Sequence, residues 1–338
     1  MSARYRVAVL GADTAVGEVL LDLLIDRRFP SAEILALALA PTQGAVVQAG
    51  GEEWDLGPAD SCDYHAVQLV FLAYGADLDA ALLARISAAG CCLIDAAGAL
   101  RNAPEVPLLV PEINSELLSD YGRDRRLSAP GALSIALALA LAPLHRAAGL
   151  KSVQLSSYQA VSALGREAVE ELAQQTRQLL TFQPVSHRVF GQQIAFNCLP
   201  VIGRLDAEGH SQEELDLVRE TRQLLNAPTL AIGVTAVQVP VFYGHAAAVH
   251  IQTERPLELD AARRLLESAP GLCLSEGVEY PTQIGQASGE DAVFIGRLRR
   301  DLPPADGFSF WLVTDNLRKG AALNAVQIAE ALVERNLL

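Results

Sequence analysis

The 338-residue chain is poor in cysteine, in lysine and in positive charge, and it has no long unbroken apolar stretch. Five cysteines, an odd number without CxxC spacing, make neither a disulfide framework nor a zinc site. Adjacent Cys91 and Cys92 suit neither, so a reducing compartment and no metal are expected. The net charge of −14 excludes the basic footprint that binding to a nucleic-acid groove requires. Lys151 and Lys319 are the only lysines; the remaining positive charge is arginine. No apolar run reaches the roughly 18–20 residues needed to cross a bilayer. The longest candidate, Ala132 to Ala142, stops at Pro143 and reads as a buried helix. The N-terminal MSARYRVAVLGADTAVG enters a strand-and-turn pattern directly, with no signal-peptide cleavage site. There is no internal repeat and no low-complexity tract. Nucleic acid and membrane are excluded as partners, and a cytoplasmic location is expected.

Half of the residues are hydrophobic, at 51 %, which is ample for sizeable cores, and the length predicts two domains. Over the first 120 residues short apolar runs alternate with amphipathic ones. Arg6–Leu10, Ile34–Leu39, Gln68–Ala73 and Cys91–Asp95 read as strands, followed by an extended Pro107–Pro111. Val16–Ile25 and Leu78–Ala89 show helical spacing. Such alternation predicts βαβ units and a parallel, doubly wound α/β sheet. From about Lys151 strands dominate: Ser152–Val161, Leu230–Val241, Ala247–Gln252, Ala292–Arg300 and Gly307–Thr314. Two helices interrupt them, Arg166–Leu180 and Gln212–Leu225. In the first, Val169, Leu172, Ala173, Thr176, Leu179 and Leu180 share a face. This half is expected to be α+β around a large antiparallel or mixed sheet. A last helix near Arg318–Leu332 carries Ala322, Val326, Ala329, Leu332 and Val333 on one stripe.

The first βα turn reads Gly11-Ala12-Asp13-Thr14-Ala15-Val16-Gly17. A glycine turn after a first strand aims backbone N–H groups and a helix N-terminus at a place where a pyrophosphate could sit. A tight turn that merely closes the fold accounts for it equally well. Thr14 stands where a glycine fingerprint has its middle glycine, and Asp13 brings negative charge towards any phosphate.

Five segments, in order, give the chain an end-to-end resemblance to aspartate-semialdehyde dehydrogenases. They are GADTAVG, LIDAAGALR with PLLVPEIN, SSYQAVSALG, EELDLVRET and DNLRKGAALNAVQIAE. The resemblance implies an NADP-binding Rossmann-like domain over residues 1–130. It also implies an α+β dimerisation and (former) catalytic domain over 131–310, and a C-terminal helix, 311–338, returning to the first domain. It further implies reduction of aspartyl phosphate through a cysteine thioester, with a histidine moving protons and basic residues holding the substrate's carboxylate and phosphate.

The resemblance breaks at the nucleophile. The family's Pro-Asn-Cys-Ser/Thr stretch, in which a helix N-terminus lowers a thiol pKa, is here Pro130-Gly131-Ala132-Leu133-Ser134. Ala132 takes the cysteine's place, and no cysteine occurs between Cys92 and Cys198. Ser134 reads as a capping or packing residue and Cys198 as a buried apolar one. The substrate-carboxylate arginine is replaced by Gln238, which supplies neither charge nor a guanidinium fork. The phosphate lysine is replaced by Asp216, which otherwise reads as a solvated helix residue pairing with Arg219. Leu39-Ala40-Pro41-Thr42 offers nothing to clamp a 2′-phosphate. Ala163-Leu164-Gly165 and Ala96-Ala97-Gly98 also depart from the pattern.

Other positions match. Gln159 and His245 fall on the substrate-positioning glutamine and the acid/base histidine, Arg101 on the phosphate arginine, and Glu214 on a substrate-contacting carboxylate. Gly11, Thr14, Ala15, Val16, Gly17, Ser162 and Asn316 fall on cofactor positions, with NADP or NAD held weakly. Each has a structural alternative: Arg101 could pair with Glu112, and His245 could be a hydrogen-bonded strand histidine. The expected function is that of a Usg-type homologue without dehydrogenase activity, in a regulatory or accessory role. It would be a homodimer, able to form a heterodimer with an active family member. The alternatives are an NAD(P)-dependent oxidoreductase for another small carbonyl compound, or a weak aspartate-semialdehyde dehydrogenase.

Overall fold

Apolar runs separated by amphipathic stretches fold, as their spacing predicts, into a parallel sheet flanked by helices. The computed structural model describes residues 4–75, 78–119, 125–275, 277, 279–303 and 306–338. They fall into two units, one made of the residues up to Gly131 together with Ala321–Leu338, the other of Ala132–Gly320.

In the first unit the elements are β1 (Tyr5–Leu10), α1 (Ala15–Asp26), β2 (Ser31–Ala38), β3 (Val46–Ala49), β4 (Glu52–Asp55), β5 (Gly57–Pro58), β6 (Leu69–Leu72), α2 (Ala80–Ala88), β7 (Cys92–Asp95), α3 (Pro111–Asn114) and β8 (Arg126–Ser128). The sheet order is β5-β2-β1-β6-β7-β8, with every pairing parallel. β1 and β6 are nearly continuous apolar runs because both faces of a doubly wound sheet are covered. The strand order reverses at the β1–β6 neighbourhood, so the carboxyl ends of β1, β2 and β6 border the crevice where such sheets take ligands. The β3–β4 hairpin, β5 and β8 are missing from the sequence reading: two are only two or three residues long, and the hairpin is half exposed and glutamate-rich. Pro107–Pro111 contributes only a bridge from Leu108 to Ser128 before α3 begins; two prolines remove two ladder donors. The C-terminal helix, Leu323–Glu334, buries Leu323, Val326, Ala329 and Leu332 in the same core as Val7, Val9, Leu20 and Leu24.

The second unit contains α4 (Ala132–Ala148), β9 (Leu150–Gln159), α5 (Arg166–Leu180), α6 (Gln212–Leu224), β10 (Ala231–Gln238), β11 (His245–Thr253), α7 (Leu259–Glu267), β12 (Leu272–Leu274), β13 (Val293–Arg300) and β14 (Phe308–Thr314). Its mixed sheet has the order β10-β9-β11-β14-β13-β12. α4 packs on β11, β14, α6 and α7. The helix does not stop at Pro143: it continues to Ala148, because Leu144 and Ala148 prolong the buried face. That burial outweighs the one hydrogen bond a helical proline removes.

The stripe expected on α5 is also partly displaced. Its buried face is Ala168, Glu171, Leu172 and Gln175, while Leu180 is 69 % exposed. Polar residues enter the core because they terminate the backbone of the following segment. Glu171 Oε2 accepts the N–H groups of Arg188 and Val189 at 2.9 and 2.5 Å, and Gln175 Oε1 accepts those of Ile194 and Ala195 at 2.9 and 3.2 Å. Glu171→Ala would orphan two N–H groups and is expected to lower stability by about 3 kcal/mol in urea unfolding, with Glu171→Gln losing about 1 kcal/mol.

Candidate functional site

In the first unit the glycine turn is built by close approach. Gly11 has φ +97°, and a Cβ on Gly17 would lie 2.0 Å from Gly11 O, so α1 can start against the turn only with glycine there. The Thr14 hydroxyl caps α1, accepting the Gly17 N–H at 3.0 Å and donating to Gly11 O at 2.8 Å. Ala15 and Val16 open the helix. Backbone N–H groups at a helix start suit an anion, and the Tyr74 ring lies against this turn, 3.2 Å from where a Gly11 Cβ would stand. The Tyr74 hydroxyl donates to Asp13 Oδ1 at 2.5 Å and accepts the Leu39 N–H at 3.2 Å.

Arg101 lies in the same unit, its guanidinium against Gly98: a Cβ there would stand 2.7 Å from Nη2. The loop is held by buried Asp95, which accepts Ala97, Gly98 and Leu100 N–H groups and the Ser128 hydroxyl. The sequence reading did not single out Asp95.

In the second unit, Gln159, Gln238 and His245 come together at the ends of β9, β10 and β11. Gln238 Nε2 donates to Gln159 O at 2.7 Å, and Ala160 N–H donates to His245 Nδ1 at 3.1 Å. All three side chains are buried. Because Nδ1 accepts, the ring proton is on Nε2. Burial pushes His245 down to about 4, so the ring is neutral at physiological pH. Ser162 and Asn316 bond to one another at 3.1 Å, and Asn316 Oδ1 accepts the N–H of Gly244, next to His245. Ala132 is the first residue of α4 and packs against Gly320: a Cβ at Gly320 would lie 2.4 Å from its own. The Gly320 N–H bonds to Asp315 O, which ties this helix start to the Asp315–Asn316 turn.

Glu214 has backbone partners at the start of α6 and on β10. Ser211 and Glu214 form a capping box for α6, and Glu214 also accepts the Ala236 N–H at 3.0 Å. Burial opposes its ionisation, but the Ser211 and Ala236 N–H groups and the Ser211 hydroxyl outweigh burial and hold the carboxyl below its ordinary value. The neighbouring Glu213 reaches the glutamine cluster: its Oε1 accepts Gln159 Nε2 at 2.8 Å. The Ser-x-x-Glu signature of a capping box was legible in Ser211–Glu214 and separates the two glutamates. Asp216 pairs with Arg219 at 2.9 Å, a helix-surface ion pair. Ser134 is buried in the first turn of α4. Cys198, expected to be buried, is exposed and free: buried Ile194 and Ala195 anchor this loop, and Asn197 Oδ1 accepts the Cys198 N–H in a bend that turns it outward. A groove of about 800 Å³ runs between α6 and the outer strand β10, lined by Leu215, Val218, Arg219, Ile232 and Val234.

The first unit is doubly wound and opens on a glycine turn, and the second gathers a buried histidine and two glutamines at one end of a mixed sheet. Residues 6–121 match the semialdehyde dehydrogenase NAD binding domain, and residues 141–319 the semialdehyde dehydrogenase dimerisation domain. Aspartate-semialdehyde dehydrogenase 2 of Vibrio cholerae is 38 % identical over 98 % of this chain and 99 % of its own length. A USG-1 protein homolog of Pseudomonas aeruginosa is 39 % identical over the whole of both chains. The crystal structure of V. cholerae aspartate semialdehyde dehydrogenase II complexed with ASA superposes with a TM-score of 0.95 at 37 % identity, covering 98 % of this chain and 99 % of that one. The chain belongs to the aspartate-semialdehyde dehydrogenase family. Among the described residues, no helix is long and apolar enough to cross a membrane.

Proposed function

We propose that the chain is a Usg-type family member that keeps the dehydrogenase frame and has lost the dehydrogenase reaction, acting as a homodimeric accessory or regulatory protein in the cytoplasm. The observation that carries this reading is that α4 opens on Ala132 at the start of the helix, where the family mechanism calls for a thiolate. A thioester route splits one hard step into two easier ones, and it needs a nucleophile that a methyl group cannot supply.

The neighbouring residues support the same reading. Gln238 spends its amide N–H on Gln159 O instead of offering a fork to a carboxylate. Asp216 puts a negative charge at the phosphate-lysine position. Asp13 and Tyr74 stand over the dinucleotide turn, so NADP or NAD binding is weakened. The outer strand β10 and its groove with α6 offer a surface for the second copy, or for an active family member in a heterodimer.

One observation favours a second reading. The neutral His245 has an Nε2–H with which to polarise a carbonyl, which suits direct hydride transfer to a different small carbonyl compound without any cysteine.

The test is a steady-state assay of the pure protein with aspartate semialdehyde, phosphate and NADP. NADPH formation is expected to stay at the blank rate; formation well above it overturns the first reading. Cofactor-dependent reduction of a neutral aldehyde, lost in His245→Asn, would establish the second.

A further inference from the structure

The crevice of the first unit is occupied by one of its own side chains. Tyr74 lies two residues beyond β6, Leu39 directly follows β2, and Asp13 sits in the turn between β1 and α1. A single phenol therefore touches the carboxyl ends of all three strands that border the ligand crevice of a doubly wound sheet. Its ring lies on the glycine turn: a Cβ on Gly11 would stand 3.2 Å from Tyr74 Cδ2. Its hydroxyl bridges the crevice, donating to Asp13 Oδ1 and accepting the Leu39 N–H. Burial and the Asp13 carboxylate raise the phenol's pKa, so it stays protonated and remains a donor.

We propose that Tyr74 is a latch that fills this unit's own dinucleotide crevice, so that NAD or NADP enters only after the Tyr74–Asp13 and Tyr74–Leu39 hydrogen bonds have broken. The inference rests on the reading of this crevice as the family's dinucleotide site. Its physical basis is competition. The ring covers the backbone that would meet a pyrophosphate, and the hydroxyl holds the β2 end that borders a ribose. Apparent affinity falls by the fraction of molecules in which the latch is open. A hydrogen bond to a charged acceptor is among the stronger kinds, so that fraction is expected to be a tenth or less.

Calorimetry with NAD and with NADP on wild type, Tyr74→Ala and Tyr74→Phe tests this. Tyr74→Ala is expected to tighten binding of at least one of the two by about tenfold or more. Tyr74→Phe, which keeps the ring and loses both hydrogen bonds, should fall between. A second readout requires no ligand: hydrogen exchange at the Leu39 amide should accelerate in Tyr74→Phe at unchanged melting temperature. Equal or weaker binding in Tyr74→Ala overturns the proposal. So does binding undetectable in both wild type and Tyr74→Ala, because something else would then close the crevice. Unchanged Leu39 exchange in Tyr74→Phe overturns it as well. These outcomes are separate from the fate of the functional reading: wild-type dehydrogenase turnover would overturn that reading and leave the latch untouched.

Discussion

Ala132→Cys is expected to leave aspartate-semialdehyde oxidation at least about 10⁴-fold below that of a cysteine-bearing family member, although it restores the sulfur at the start of α4. Removing a nucleophile costs on the order of 10⁶ in kcat in a well-studied hydrolase, so restoring one could in principle recover much of the rate. The position favours it: residue 132 is the first of a 17-residue helix, whose N-terminal N–H groups stabilise a thiolate. On the proposed reading, what the substitution does not restore is the hold on an anionic substrate. Gln238 is buried and turned to Gln159 O, and Asp216 presents a carboxylate. Each charge-assisted hydrogen bond lost to a substrate oxygen costs roughly 1.5–3 kcal/mol, about ten- to a hundredfold. A bidentate carboxylate contact and a phosphate contact together therefore account for several powers of ten. The measurement is kcat/KM for Ala132→Cys; recovery to within about a hundredfold of the family member would show that Gln238 and Asp216 matter far less than argued.

The second large effect is on stability against pH. His245 is buried and its pKa falls from 6.5 to about 4, so between those values the unfolded chain binds a proton that the folded chain does not. Stability from the neutral ring is complete above pH 6.5 and declines as pH falls towards 4. Between pH 7 and pH 4.5 this amounts to about 2 kcal/mol, from 1.36 kcal/mol per pKa unit. His245→Asn keeps an acceptor for the Ala160 N–H and has no titrating group. Urea unfolding at the two pH values should show wild type losing about 2 kcal/mol more than His245→Asn. Equal losses would mean that the imidazole is hydrated in the folded protein.

Much of this frame was legible in the sequence because its causes are local. The continuous apolar runs of β1 and β6, the glycines at 11 and 17 and the strand-rich second half all announce themselves by period or by steric necessity. The residues that were hidden act across long sequence separations. Pro143 looks like a helix end until the burial of Leu144 and Ala148 is known. Cys198 looks apolar until the bend at Asn197 turns it out. Glu213 and Glu214 differ in role only because one meets Gln159, more than fifty residues earlier, and the other closes a capping box. Tyr74 carries no motif; its meaning comes from Asp13 and Leu39, brought to it by the parallel order of β2, β1 and β6. Gln159, His245, Ser162 and Asn316 were matched by position alone, and the structure gives each a hydrogen bond within one cluster.

The most direct measurement of the central claim is a single-turnover experiment with enzyme in excess of aspartate semialdehyde, with phosphate and saturating NADP, on wild type and on Cys198→Ser. Excess enzyme makes even one hydride transfer per site visible, whatever limits later cycles. The account predicts no NADPH above the blank from either protein. An NADPH burst in wild type would contradict it: if lost in Cys198→Ser, the burst would place the nucleophile on the exposed thiol, and if retained, the reaction would need no cysteine at that position.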